Sequence, residues 1–254
     1  MSSPVHRFGS VSVVIPAYRA EECIARTLDL VQGFLESTGV DHEVIVVSDA
    51  SPDRTADIVT ARGRGVRLLA NATNHGKGYS VKRGMLASTK AWAVFTDADN
   101  STSIEHLERF AAHADSADMV IASRLLPDSN IVTPRPFSRR VMGRVFPTIV
   151  NALAPTGVAD TQCGFKLFRR SAVEALFPLQ RIEGFAFDVE LLLLARRLGL
   201  RVAEVPIDWD NPESTTIRAS VESLRMLRDV VKAAARVQTG AALRAPGGVS
   251  GPGR

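Results

Sequence analysis

Five short, largely apolar runs, at residues 11–16, 43–47, 66–70, 91–95 and 118–123, alternate with stretches of helical periodicity. Apolar runs without strict polar alternation predict strands covered on both faces, and hence a mostly parallel sheet flanked by helices: an α/β fold. In such sheets ligands bind outside the carboxyl ends of the strands. Tyr18, Asp49, Lys77, Asp97, Asp99 and Arg124 each follow one of the runs, so the pattern gathers them at that edge.

The segments between the runs fit this scheme. Ile24, Leu28, Val31 and Leu35 share one face of a helix predicted from about residue 21 to Gly39. Residues 48–55 read as a turn and helix N-cap, 74–78 as a glycine-bearing turn opening a helix over 79–88, and 103–114 as a further helix. The second half predicts a helical stretch through Val141, Val145, Ile149 and Leu153, a strand holding Gln162 and Lys166 on either side of Gly164, a helix over 185–198, a strand over 202–207 and an amphipathic helix over 219–237. The predicted organisation is an N-terminal extension (1–10), a single domain (11–238) and a disordered tail (239–254), Pro/Gly/Ser-rich from 245.

Composition narrows the function. The net charge of +4 is mild, and two Trp and two Tyr are too few for base-stacking platforms, which argues against nucleic acid. Cys23 and Cys163 show neither metal-ligand spacing nor a disulfide framework, so reduced thiols and a cytoplasmic setting are expected. No apolar run approaches the ~18–20 residues of a membrane span, which leaves at most peripheral association at the cytoplasmic membrane face. The five histidines are scattered and read as surface or cap residues. The helix bearing Leu224, Leu227 and Val231 beside Arg225, Arg228 and Lys232 is read as packing on the core rather than lying on a membrane. A homo-oligomer is left open.

The run at 91–95 ends in Asp97-Ala98-Asp99. Two unpaired carboxylates are too costly to bury, and along an extended strand end residues i and i+2 point the same way. Asp97 and Asp99 are thus candidate ligands of a hard divalent ion, Mg²⁺ or Mn²⁺, of the kind that shares its shell with substrate phosphates. Lys77, between Gly76 and Gly78, adds a cation where backbone approaches closely. The chain lacks both Walker-loop spacing and a Gly-X-Gly-X-X-Gly after the first strand. The combination suits departure of a nucleoside diphosphate, as in nucleotide-sugar glycosyl transfer.

Pro16-Ala17-Tyr18, the run 46–55, Asn74-His75-Gly76-Lys77-Gly78 and Asp97-Ala98-Asp99 occur in the order of glycosyltransferase family 2, which the chain resembles over residues 10–235. The resemblance implies the GT-A fold. Residues 160–168 (DTQCGFKLF) and 185–192 (FAFDVELL) resemble the dolichyl-phosphate β-glucosyltransferase branch. It further implies that Pro16, Ala17, Tyr18 and Asp49 hold the nucleobase and ribose, and that Lys77 approaches the diphosphate. Asp97 would lie near ribose and metal with Ala98 between, Asp99 would be the principal metal ligand, and Arg124 would face a phosphate.

Some positions depart from the family pattern. Arg19-Ala20 replaces the usual Asn-Glu, leaving Glu21 as the nearest carboxylate; Ser48-Asp49 replaces Asp-Asp; and Ser214-Thr215, with Arg218 nearby, replaces Ser-Lys. The acceptor determines the remaining roles. A polyprenyl phosphate, already ionised near pH 7, needs cations to position it, for which Arg124, Arg135 and Arg139, with Gln162, are candidates. A soluble hydroxyl acceptor needs a base, for which Asp188 and Asp160 are candidates beside the catalytic Asp99. The leading expectation is inverting transfer of glucose from UDP-glucose to a polyprenyl phosphate. The alternatives are a soluble hydroxyl-bearing acceptor and a non-catalytic nucleotide-sugar binding module.

Overall fold

The computed structural model describes residues 3–63, 65–131, 148–209 and 219–240. Strands β1 (Ser10–Ala17), β2 (Asp41–Ser48) and β3 (Val66–Ala70) are joined by α1 (Ile24–Thr38) and α2 (Thr55–Ala61). After α3 (Lys77–Ala87) come β4 (Trp92–Phe95), α4 (Leu107–Phe110), β5 (Met119–Ser123) and the short β6 (Asn130–Ile131). The second half contributes helix α5 (148–153), β7 (Lys166–Arg169), α6 (Arg170–Leu176), α7 (Phe187–Arg197), β8 (Val202–Pro206), β9 (Asp208–Trp209) and α8 (Ala219–Gln238).

Seven strands form one sheet in the order β3-β2-β1-β4-β7-β5-β8. All neighbours run parallel except β7, which is antiparallel to both β4 and β5. The reversal decides where the second-half motif goes. Because β7 runs backwards, Lys166 at its start pairs with Phe95 and Ile121, so residues 160–165 arrive at the carboxyl edge of the parallel strands. The β6 and β9 strands pair separately.

Strand alternation divides the core between the two faces of the sheet. Val13, Ile15, Val44, Val46 and Val94 face α1, whose Ile24, Leu28, Val31 and Leu35 are all buried as their spacing predicts. Val14, Ile45, Val47 and Phe95 face α3, α6 and α7. Fully burying each such side chain contributes about 1.5–3 kcal/mol. Gly84 on α3 lets that helix approach the sheet; a Cβ there would overlap the methyls of Val14. Gly39 ends α1 at φ +68 and donates its N–H to the Leu35 and Glu36 carbonyls.

Several boundaries differ from the sequence reading. Residues 104–113 form a 3-10 turn, the short α4 and another 3-10 turn rather than one helix. In that stretch His106 is buried rather than on the surface, its Nε2 2.9 Å from the Asp208 carbonyl, and it stands at the N-cap of α4. Residues 4–8 form a 3-10 turn whose Val5 and Phe8 enter the core, Phe8 against the Trp92 ring. Gln162 lies in the loop before β7, not in a strand. Residues Val141 and Val145 of the predicted helix fall outside the described residues, as do Ser214, Thr215, Arg218 and the tail beyond Gly240. Among the described residues, no helix is long and apolar enough to cross a membrane.

Candidate active site at the carboxyl edge of the sheet

Three non-glycine residues, Arg19, Ala50 and Asn100, adopt φ +52. They stand just past β1, β2 and β4, all at the carboxyl edge. Left-handed backbone is unfavourable for L-residues and concentrates at functional sites. Here it turns each chain sharply as it leaves the sheet.

Asp49 organises the first of these loops. It is 3% exposed, and its carboxylate accepts from Asn71 Nδ2 (2.6 Å), His75 N (3.1 Å) and Gly76 N (2.7 Å). Asn74 Nδ2 donates to the Asp49 carbonyl. Asp49, expected at the nucleobase and ribose, thus has its carboxylate committed to the 71–76 loop. The loop delivers Lys77 to the N-terminus of α3. Segment 182–184 backs the same turn: a Cβ on Gly78 would meet the Ile182 carbonyl at 2.6 Å, and one on Gly76 the Glu183 carbonyl at 2.7 Å.

Glu21 and Asp53 brace the next loop reciprocally. Glu21 N donates to Asp53, and Arg54 N donates to Glu21. Burial raises the Asp53 pKa, but hydrogen bonds from Ser51, Thr55 and Glu21 N outweigh it and bring it to about 2. Pro16 and Ala17 are the last, buried residues of β1, and Tyr18 beyond them is exposed, with the Arg19 guanidinium 5.5 Å from its ring centroid.

Lys77 Nζ lies 2.5 Å from Asp97 Oδ1. Burial lowers the Lys77 pKa, yet Asp97, Asp188 and Asp99 together hold it above its ordinary value. The strand ends at Phe95, so Asp97 and Asp99 sit in a turn, closed by Asn100 N donating to the Asp97 carbonyl, and not on the extended strand end that the spacing implied. Asp99 is exposed and accepts from Ser101 N at 3.0 Å. Desolvation and then the Asp97 charge push its pKa up. Between them the Ala98 carbonyl accepts from Thr27 Oγ1 at 2.6 Å, tying the turn to α1.

The second-half loop packs on this turn. A Cβ on Gly164 would overlap the Asp97 carboxylate. Gly164→Ala therefore displaces Asp97, and displacement by about 1 Å costs about 10²-fold. We expect that loss in kcat/KM with the unfolding midpoint little changed. Unaltered turnover would show that Asp97 tolerates displacement.

Two ion pairs stand behind the turn. Lys166 Nζ, fully buried, donates to Asp188 Oδ1 and to the Cys163 carbonyl, both at 2.6 Å. Burial raises the Asp188 pKa against the opposing pull of Lys166 and Lys77. Arg124 grips Asp160 through Nε (2.7 Å) and Nη2 (2.9 Å), and its N–H donates to the same carboxylate. Burial raises the Asp160 pKa, but Arg124 overrides it and holds the group at about 2. Arg124 also lies 5.8 Å from the Trp209 ring centroid, and Glu204 accepts from Ala159 N and Asp160 N. Gln162 Nε2 points to Met226 Sδ on α8 at 3.4 Å. Arg135 and Arg139 lie outside the described residues.

Sequence reading left three contributors unassigned. Lys166 interrupts the apolar run from Phe165 to Phe168, and a charge there signals a buried counter-ion. Glu204 and Gly164 carry no such signal; their roles depend on strand order. Acid lability follows from the same carboxylates. Asp53 and Asp160 have depressed pKa values, so their stabilisation is complete above about pH 4 and is lost as pH falls toward 2. Chemical denaturation at stepped pH should show stability falling across that window, and the Asp160→Asn variant should show a shallower fall.

The donor set fits a divalent ion. Among the described residues no group of three His, Cys, Asp or Glu could enclose a metal. Two carboxylates at an open turn suit an ion that completes its shell with phosphate oxygens and water. Such an ion would also relieve the repulsion felt by Asp99. The Asn100 Oδ1 and Thr96 Oγ1 atoms beside the turn are buried with no protein partner.

A mostly parallel sheet whose carboxyl edge joins an Asp-X-Asp turn to a glycine-flanked lysine defines a nucleotide-sugar-dependent glycosyltransferase of the GT-A fold. The chain belongs to glycosyl transferase family 2, whose domain model matches residues 12–177. It is similar to the dolichyl-phosphate beta-glucosyltransferase of Dictyostelium discoideum (34% identity; 87% of this chain, 73% of the relative). The enzymes of the same name from Drosophila melanogaster (34%; 91% and 76%) and Homo sapiens (30%; 91% and 76%) are similar as well. The fold matches Mycobacterium tuberculosis glucosyl-3-phosphoglycerate synthase in complex with Mn²⁺, UDP and glucosyl-3-phosphoglycerate, with TM-score 0.71, 19% identity, and coverage of 92% of this chain and 82% of that one.

Proposed function

We propose that the enzyme transfers glucose from UDP-glucose, with inversion, to a polyprenyl phosphate of the dolichyl type. Relatives that carry out dolichyl-phosphate β-glucosyl transfer, by name, align across both the Lys77/Asp97 half and the 160–192 half. The observation that carries the choice of acceptor is the state of the two candidate bases. Asp160 is held at about 2 by Arg124, too acidic to take a hydroxyl proton efficiently. Asp188 is buried with one oxygen on the Lys166 ammonium. A phosphate acceptor needs neither, because it arrives ionised.

In this reading Asp99, with Asp97, would hold Mg²⁺ or Mn²⁺, which when bound neutralises charge developing on the departing diphosphate. Lys77, fixed by the Asp49-anchored loop, adds a second positive charge beside the leaving group. Asp160 fixes the Arg124 guanidinium at the edge through Nε and Nη2, which leaves its remaining N–H groups to orient the acceptor phosphate. The buried Lys166–Asp188 pair lies behind the turn, where the Asp188 charge also acts on Lys77. A single displacement at the anomeric carbon requires no nucleophile from the protein, and inversion follows.

The test is transfer of radiolabel from UDP-glucose to an organic-extractable product, with Mn²⁺, in the presence and absence of polyprenyl phosphate. Label that depends on the lipid supports the proposal. A second experiment addresses the alternative of a soluble hydroxyl acceptor. Turnover that survives Asp188→Asn but not Arg124→Ala favours the phosphate. UDP release driven only by a soluble metabolite fraction, abolished by Asp188→Asn, would overturn it.

A further inference from the structure

Helix α8 packs one face on the core through Val230, Ala233, Ala234 and Val237. The sequence reading ends there, but the opposite face is not polar throughout. Leu224 is 70% exposed and Val231 49% exposed. At 100° per residue Leu224, Val231 and Ala235 fall in one stripe, and Arg228, Lys232 and Arg225 follow next around the helix. All three cations are exposed, and Asp229, paired with Lys232 at 3.8 Å, is the only acidic residue between positions 224 and 240.

We infer that this face of α8 docks the enzyme on an anionic bilayer surface, with Leu224 and Val231 entering the acyl boundary and the cations meeting lipid headgroups. An apolar stripe edged by Arg and Lys on a helix of low overall hydrophobicity is the pattern of helices that lie in the interface plane. Charge complementarity selects the occupant. A second copy would set Arg225, Arg228 and Lys232 against like charges, whereas an anionic surface attracts all three. The inference rests on the proposed lipid acceptor, which has to be reached where it resides. It adds the element of the fold that turns toward the membrane.

Helix α8 is also joined to the site. Arg236 pairs with the buried Glu190 of α7, and Glu190 accepts the N–H groups of Arg181 and Ile182. The segment that follows, 182–184, backs the Lys77 turn. A helix seated on the bilayer is thus fixed relative to the donor end of the site.

The experiment is cosedimentation of the full chain with vesicles of phosphatidylcholine alone and of phosphatidylcholine with 30% phosphatidylglycerol. Binding to the anionic vesicles only, weakened by high salt, is the expected result. Each cation near such a surface strengthens binding roughly fivefold, so R225Q/R228Q/K232Q should weaken it about a hundredfold. L224E/V231E should abolish it. Both variants should bind UDP as the wild type does, which shows that they are folded. Absence of the intact protein from the anionic pellet would overturn the inference, as would a dimer in solution that L224E/V231E dissociates. The two readings fail separately. Vesicle binding without lipid-dependent transfer removes the proposed acceptor, whereas transfer to a short, water-soluble polyprenyl phosphate without vesicle binding removes the docking face alone.

Discussion

Asp99→Asn should lower kcat/KM by about 10³-fold while leaving the protein folded, the scale expected when stabilisation of charge on a leaving group is lost. Asp99 is exposed and accepts from the Ser101 N–H and hydroxyl, which an Asn carbonyl can also accept. Its pKa is raised by desolvation and by Asp97, so removing the charge at neutral pH relieves repulsion rather than breaking a bond. Exposed substitutions of this kind stay within about 0.5 kcal/mol. Asp97→Asn is expected to behave differently, because it also strips Lys77 of its partner at 2.5 Å. It should lose activity and some stability together. The measurement is kcat/KM over a Mn²⁺ series beside UDP affinity with and without Mn²⁺. For Asp99→Asn the metal-dependent gain in UDP affinity should disappear while metal-free affinity persists. Full turnover by Asp99→Asn would remove the turn from the metal site.

Sequence reasoning reached the parallel half of the fold because each apolar run there is buried on both faces and each helix shows one apolar stripe. Val13, Ile15 and Val94 could have no other environment, and Lys77 meets Asp97 because α3 crosses back from β3 over β2 and β1 to β4. It did not reach the reversal of β7. Nothing in Lys166-Leu167-Phe168-Arg169 fixes the direction of the strand, which is set by pairing partners far along the chain. The contact of Gly164 with Asp97 and the service of Glu204 to Asp160 were hidden with it. The turn at Asp97 was misjudged for a local reason: β4 is only four residues long, and Asn100 at φ +52 folds the chain back before an extended geometry can persist. Asp49 was legible as a loop carboxylate but not as an inward-facing one, since its donors come from residues 71–76.

Lys166→Met should destabilise the protein by about 3–5 kcal/mol, the cost of leaving a buried charge without its partner. The pair has almost no access to water: Lys166 is 0% and Asp188 3% exposed. Adding Asp188→Leu should restore most of that stability, because a buried ion pair and an apolar pair of similar volume are close in free energy. Neither variant should recover transfer if the Asp188 carboxylate belongs to the site, and the double variant should be active if the pair serves only packing. The pH dependence supplies an independent readout. Since Asp188 has a raised pKa in the folded state, its contribution to stability is fully present below its unfolded value near 4 and is lost as pH rises through the folded value. Asp53 and Asp160 act in the opposite sense, losing stability as pH falls. The double variant should therefore differ from wild type mainly above pH 4, where removing Asp188 abolishes the loss of stability that its titration causes as pH rises. A profile unchanged by the double substitution would mean that Asp188 titrates as it does in the unfolded chain. Asp188 would then not be a carboxylate strained by burial, and the site would keep Lys166 only as a donor to the Cys163 carbonyl that shapes the loop over Asp97.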